Sequence, residues 1–322
     1  MNWETVMNKN LLRWLLDGEP WVVYRALTWL QDKAEDDDSV VASRMAIPKN
    51  PMIERIFADL NEDGYWGKPK DIHTWWPKKD TTFWLLPVLA DFGFRVDDRR
   101  IAGACEYVFS TQLESGAFGW SPPTEPGDCH TAILVEAMAK LGLLNDSRLQ
   151  KAYRWLVNRQ RLDGGFWCKG TGLIGGPREE EPSCAFATMF ALGAMGQNPK
   201  LRDCVSAKKG VSFLLDCWKN RGKVKYAGHD SEIGHGWEKL KYPFTEYRIL
   251  KFLEVLSQFE HSRQELLGSG MMELLLDKRD NGGRFTPESI HRVWTDFDFG
   301  QKQRPSRWIT LWALLIMKRT FK

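Results

Sequence analysis

No uninterrupted apolar run in this sequence reaches the roughly 20 residues that a membrane-spanning helix needs, so no transmembrane segment is expected. The segment "WITLWALLIMKR" (308–319) could graze a bilayer, which leaves peripheral membrane contact open, but a buried final helix accounts for it better. Six cysteines show no CxxC spacing in a chain of 322 residues, which is too long to need disulfide staples. Reduced thiols in a cytoplasm are therefore the expectation. The opening "MNWETVMNKN" lacks a basic region followed by an apolar run, so it does not read as a signal peptide. The net charge is only +3 and the basic residues are scattered, which argues against a nucleic-acid partner. Signals for β-strands are scarce.

Amphipathic helical segments recur, and so does one kind of punctuation between them. Gly-plus-aromatic turns read "DGYWG" (63–67), "SGAFGW" (115–120), "DGGFW" (163–167) and "NGGRF" (281–285), with a degraded copy, "GKVKYAG", at 222–228. Glycine permits the tight turn and the aromatic pins it to its neighbours. A helix start follows each turn, and aligning the starts places position zero at Trp21, Asp80, Asp128, Ser183, Phe244 and Ser306. Second helices fit near 4–16, 50–60, 98–112, 147–160, 200–217 and 262–277. The result is six helical hairpins in one all-α domain spanning 1–322, and periodic self-similarity of this size signals an array or a closed ring.

The turns "LDGGFW" and "ESGAFGW" resemble the Gln-Trp-type repeats of squalene cyclases and the related turns of protein prenyltransferase β subunits. The resemblance implies the (α/α)6 toroid shared by terpenoid cyclases and prenyltransferases, here as a single barrel. It also implies an isoprenoid or other lipid-like ligand in a central cavity. A prenyltransferase β subunit works with an α subunit; the sequence is silent on a partner.

Read at about 100° per residue from position zero, one side of each inner helix should face the hollow. That side holds Arg25, Trp84, Arg248, Arg307, Trp29 and Phe252, together with small residues and the cysteines Cys129 and Cys184. Arg25, Arg248 and Arg307 come from neighbouring hairpins, and three guanidiniums on one arc need an anion or carboxylates to answer them. The expectation is a ligand with an acidic head and an oily body, set against ion pairing with Glu19, Glu246 or Glu136. Asp296 and Asp298 are further candidate partners.

"EPGDCHTAILVEAM" (125–138) places Asp128, Cys129 and His130 side by side. Asp128 falls where an N-cap is wanted, at the rim of the hollow like Asp80, while Cys129 points inward and His130 toward the outer layer. No cofactor is required by the sequence. Asp128, Cys129 and Cys184 are chemically acceptable for zinc, a set similar in part to that of prenyltransferases. Class II terpenoid cyclases use an Asp-rich motif followed by Thr-Ala; "GDCHTA" keeps one Asp and the Thr-Ala but lacks the clustered carboxylates that hold a proton donor's pKa. Asp128 and Asp80 are the candidate catalytic acids. Facing each other across the cavity they would instead suit a carbohydrate-active α/α barrel. A blocked or shallow cavity would indicate a non-enzymatic protein that docks a lipid or a partner. The loop "DIHTWWPKKD" (71–80) is a candidate lid, and "YAGHDSEIGHGW" (226–237) carries two histidines without metal-like spacing.

Overall fold

The computed structural model describes residues 3–68, 80–119, 127–167, 180–224, 233–244 and 248–322. In chain order its α-helices are α1 (Trp3–Val6), α2 (Lys9–Leu16), α3 (Pro20–Arg25), α4 (Asp38–Ala46), α5 (Pro51–Ala58), α6 (Thr82–Phe92), α7 (Arg99–Ser110), α8 (Asp128–Met138), α9 (Ser147–Asn158), α10 (Ala185–Gln197), α11 (Val205–Lys219), α12 (Ile249–Leu256), α13 (Arg263–Gly268), α14 (Met271–Leu276) and α15 (Arg307–Phe321). Helix α3 runs on through one wide turn, Ala26–Leu30. Among the described residues β-structure is limited to isolated bridges. No described helix is long and apolar enough to cross a membrane.

Two layers follow from how each helix distributes its apolar residues. In α9 the buried positions are Leu149, Ala152, Tyr153 and Leu156, one stripe at helical spacing, which suits an outer helix wetted on its other side. In α10 every residue from Ala185 to Gly196 is buried, as an inner helix covered all round requires. The inner helices touch in the order α6, α8, α10, α12, α15 and α3, and α3 returns to α6. Helices α7, α9, α11 and α14 back α6, α8, α10 and α12, while α2 backs both α3 and α15. This is the all-α (α/α)6 toroid expected from the hairpins. Helix α4, packed on α3, is an addition that the turn pattern did not announce.

The turns explain how the hairpins are fastened. Gly64, Gly116, Gly164 and Gly283 have φ of 87°, 105°, 88° and 82°, the left-handed region that glycine alone adopts freely. Their amides donate to the carbonyls of Asn61, Leu113, Arg161 and Asp280 at 2.9–3.0 Å. The residue two positions after each glycine is aromatic, buries its ring and donates its amide to an inner-helix threonine. The pairs are Trp66 to Thr82 at 2.8 Å, Phe118 to Thr131 at 3.3 Å, Phe166 to Thr188 at 2.9 Å and Phe285 to Thr310 at 2.9 Å. Each glycine also presses on the following outer layer. A Cβ would stand 2.6 Å from the Gly103 carbonyl at Gly64, 2.7 Å from that of Lys151 at Gly116 and 2.7 Å from that of Lys209 at Gly164. At Gly283 the neighbour is Leu11 of α2, so the last turn docks on the first hairpin. Gly164→Ala combines a disfavoured φ with a collision against backbone, and should lower stability by about 2 kcal/mol or more, read as a fall in the thermal midpoint with an unchanged helical spectrum.

The helix starts correct the alignment. The observed N-caps are Glu19, Thr81, Gly127, Cys184, Arg248 and Ser306. Only Ser306 stands where position zero put it, and α12 begins a full turn late. Asp80 lies before its helix, and Asp128 is the first helical residue rather than the cap. The four threonines give the true common register: they fall two, three, five and four residues after the aligned starts, and a one-residue slip turns a helix face by about 100°.

Candidate functional site

Counting from the threonines, the positions two residues on are Trp84, Ile133, Phe190 and Trp312. Five residues on stand Pro87, Glu136, Gly193 and Leu315, and nine on stand Asp91, Lys140, Gln197 and Arg319. Pro87, Ile133, Phe190, Glu136, Asp91 and Lys140, with Lys251 of α12 and Tyr242 to Phe244 of the preceding segment, line a cavity of about 20 Å³. That volume holds about one water molecule.

The charged residues form a floor toward the C-terminal ends of the inner helices. Lys140 Nζ lies 3.0 Å from Asp91 Oδ1 and 2.7 Å from Glu136 Oε1. Lys251 Nζ donates to both Glu136 oxygens at 2.7 and 2.8 Å and to Glu254 Oε2 at 3.1 Å. Arg319 approaches Glu254 Oε1 at 3.6 Å, and the Tyr242 hydroxyl donates to Asp91 Oδ2 at 3.0 Å. Asp91, Glu136, Lys251 and Glu254 are at most 5% exposed. Such groups are tolerated in an interior because each meets an opposite charge. Gly193 makes the crossing between α8 and α12 possible, since a Cβ there would stand 2.5 Å from Glu136 Oε2. Burial pushes the Glu136 carboxyl up, but Lys140 and Lys251 outweigh it and hold it down at about 2. Burial prevails at Asp91, whose carboxyl is raised despite Lys140.

An aromatic lid rests on this floor. The Lys251 ammonium is 5.7 Å from the Phe190 ring and 5.8 Å from that of Phe244, and the Lys140 ammonium is 5.8 Å from the Trp312 ring, distances at which cation–π attraction acts. Trp312 packs on Phe244 at 4.8 Å and on Trp29 at 4.5 Å.

Of the residues expected on the axis, several are elsewhere. Arg25 donates Nε to the Asp91 carbonyl at 2.7 Å and its terminal nitrogen to that of Ala90 at 2.8 Å, closing the C-terminus of α6. Arg307 donates to the Trp14 carbonyl at 2.8 Å and reaches Asp17 at 3.3 Å, so it faces the end of the outer helix α2. Arg248 is the N-cap of α12. The guanidinium arc is therefore corrected: backbone carbonyls at helix C-termini, which carry partial negative charge, answer Arg25 and Arg307. Phe252 packs against Trp218 of α11 at 6.0 Å and belongs to the outer interface. Trp84 is fully buried against His291. Glu19 accepts from Asn50, Asp296 pairs with Arg55, and Asp298 accepts from the Trp308 amide. Glu246, residues 71–79 of the candidate lid and residues 226–232 lie outside the described residues.

Asp128 turns to the outer layer. It lies one turn before Thr131, on the same helix face, and its Oδ1 accepts from Arg159 at 3.0 Å just after α9. The carboxyl is completely buried and Oδ2 makes no hydrogen bond; burial pushes it up to about 6 against the pull of Arg159. Asp80 is exposed, so the two acids do not form a facing pair. Cys184 caps α10, its Sγ accepting from the Ala187 amide at 3.4 Å. Among the described residues no three His, Cys, Asp or Glu side chains are placed to hold a metal ion, and Asp128, Cys129 and Cys184 do not assemble a zinc site. His130 packs edge-on to Phe83 at 5.2 Å and burial lowers it to about 4.

Asp128 supplies a pH prediction. Its folded pKa is raised, so the folded chain takes up a proton between the ordinary value of 3.8 and about 6. Its contribution is therefore most favourable at the acid end and declines as pH rises through 6. Relative to Asp128→Asn, the native chain should be about 2 kcal/mol better off at pH 4.5 than at pH 7, as read by urea unfolding at both values.

A residue-level signal for the floor existed. Asp91, Lys140, Lys251 and Glu254 interrupt helices that are otherwise apolar all round, and a charge inside such a helix requires a partner.

Solved structures to which the chain is similar include an arginine variant of the type II terpene cyclase MstE from Scytonema in complex with geranylgeranyl dihydroxybenzoate, its substrate. It has 13% identity and a TM-score of 0.46, covering 94% of this chain and 87% of that one. Others are a protein from Actinoplanes (14%, TM-score 0.45, 94% and 90%) and a glycosyl hydrolase family 88 protein from Bacteroides vulgatus (11%, TM-score 0.48, 100% of both chains). No curated protein matches the sequence. Residues 54–261, more than half of the chain, match the squalene-hopene cyclase C-terminal domain, and the chain belongs to that family.

Proposed function

We propose that the drum binds an isoprenoid or comparably oily molecule along its axis, on the aromatic side of the ionic floor. The supporting observation is the change of character along the inner helices. Counted from the threonines, Trp84, Ile133, Phe190 and Trp312 share one uncharged level about two turns before Asp91 and Lys140, and Ile133 and Phe190 of that level line the cavity. Large aromatic faces are suited to oily chains. The acids on the axis are held by lysines, arginine and tyrosine, which makes them supports rather than proton donors, so binding is the role assigned. Family membership adds the expectation of a terpenoid-type ligand.

The test is calorimetric titration with farnesol, joined to lipid extraction and native mass spectrometry of freshly purified protein. Trp312→Ala removes the largest ring beside the lid and should weaken binding about 10-fold or more. Saturable binding that Trp312→Ala leaves unchanged would place the ligand elsewhere. The cavity of about 20 Å³ favours one second reading, a scaffold that docks a partner without taking a ligand. Absence of any bound or titratable lipid would support it.

A further inference from the structure

Two buried donors beside the lid lack well-formed hydrogen bonds. The indole Nε1 groups of Trp308 and Trp312 are sealed from solvent and neither makes a well-formed hydrogen bond; Trp308 has only the Tyr242 hydroxyl within reach, and the two residues are 0% and 2% exposed. Buried N–H groups are nearly always paired, so two such donors in contact invite a functional account. Their rings lie 5.9 Å apart, and both border the same short segment. Tyr242 packs on Trp308 at 5.6 Å, and Phe244 packs on Trp312 at 4.8 Å.

Among the described residues that segment is held by side chains rather than by backbone. Tyr242, Pro243 and Phe244 make no backbone–backbone hydrogen bond with other described residues. Tyr242 is tied to Asp91 through its hydroxyl, and Phe244 sits over Lys251 and against Trp312. A segment so attached can leave without breaking a helix or a sheet. What it now covers is too small for a lipid, about 20 Å³, whereas binding sites for small organic molecules enclose on the order of 300 Å³ or more.

The charge of the floor limits the ligand. Asp91, Glu136 and Glu254 face Lys140, Lys251 and Arg319, three against three. Arg25, beside Asp91, already donates to the Asp91 and Ala90 carbonyls, so among the described residues each of these cations has an acceptor, and the indoles are donors only. Resting on the reading that the axis takes an oily molecule, we propose that the ligand carries a neutral oxygen, such as a hydroxyl, ether or carbonyl. That oxygen accepts from the Trp308 and Trp312 indoles once the Tyr242–Phe244 segment has moved off the axis.

Farnesol, farnesene and farnesyl diphosphate share one oily chain and differ in the oxygen, its absence and its charge. Titrated into the full chain, farnesol should bind about 10-fold tighter than the other two. Trp312→Phe keeps a ring and deletes the N–H; it should bring farnesol down to the level of farnesene and leave farnesene within 2-fold. Phe244→Ala should tighten both neutral probes several-fold, because the segment competes less. Circular dichroism melts confirm that each variant is folded. Farnesol preference surviving in Trp312→Phe and Trp308→Phe, preference for the diphosphate, or weaker binding by folded Phe244→Ala would overturn the proposal. Equal binding of all three probes would overturn the oxygen contact and leave the oily-ligand reading standing. No binding by the native chain or by Phe244→Ala would remove both.

Discussion

Lys251→Met should destabilise the fold by about 3–5 kcal/mol, the range for removing one partner of a buried ion pair. Lys251 is 1% exposed and holds both oxygens of Glu136 and one of Glu254. Methionine matches its length and leaves two sealed carboxylates sharing Lys140 and Arg319. The thermal midpoint should fall by roughly 4–7 °C. Glu136→Gln in the same chain should recover part of the loss, because the uncompensated charge goes with it. Acid should narrow the deficit. The folded pKa of Glu136 is depressed to about 2 from an ordinary 4.5, so its stabilisation is complete above 4.5 and disappears as pH falls through 2. Calorimetry of the native, single and double variants at pH 4 and pH 7 measures all of this. A midpoint change under 2 °C for Lys251→Met would show that the floor is not a structural element.

Lys318→Met should have the next largest effect, about 2–4 kcal/mol, because it opens the seam between the last and first inner helices. Lys318 is 6% exposed. Its ammonium donates to the Trp29 carbonyl at 2.9 Å, to that of Leu30 at 3.2 Å and to Asp32 Oδ1 at 2.6 Å. Asp32 has a φ of 53°, in the left-handed region, at a cost on the order of 1–2 kcal/mol for a residue with a Cβ. The ammonium thus satisfies two buried carbonyls and fixes an unfavourable turn at once, and charge-assisted bonds of this kind are the strong ones. Loss of the amine strands those carbonyls. Hydrogen exchange should accelerate in α3 and α15 before it does in α8 and α10. Lys322→Met is the control: Lys322 reaches the same Asp32 at 3.1 Å from an exposed position, and its removal should hardly change stability. Uniform acceleration across all inner helices would contradict a localised seam.

The hairpins were legible because their determinants are local. Glycine at a left-handed turn, a buried aromatic after it and an apolar helix following can be read from a dozen residues, and α7, α9 and α11 fall within a few residues of the expected spans. Which face each helix turns inward was less legible, because helices were matched by their starts. The chain instead fixes register by a turn amide reaching a threonine, a contact spanning 13 to 25 residues. Matching by starts places Phe252 on the inner side, whereas it packs on Trp218 of α11. The arginines misled for a different reason: Arg25 and Arg307 bond backbone carbonyls, acceptors that every residue carries and no motif reveals. Glu136, a candidate partner for the arginines, pairs instead with Lys140 and Lys251. Lys251, and Asp91 which shares Lys140, come from helices whose register only the folded chain discloses.

The most direct measurement is photolabelling with a farnesol analogue bearing a diazirine near the oxygen, followed by peptide mapping. Saturable label on the peptides that contain Phe190, Tyr242 to Phe244 and Trp308 to Trp312, competed away by unmodified farnesol, is the expected result. Label confined to the outer helices α7, α9 and α11, or label that excess farnesol fails to reduce, would contradict an axial ligand site.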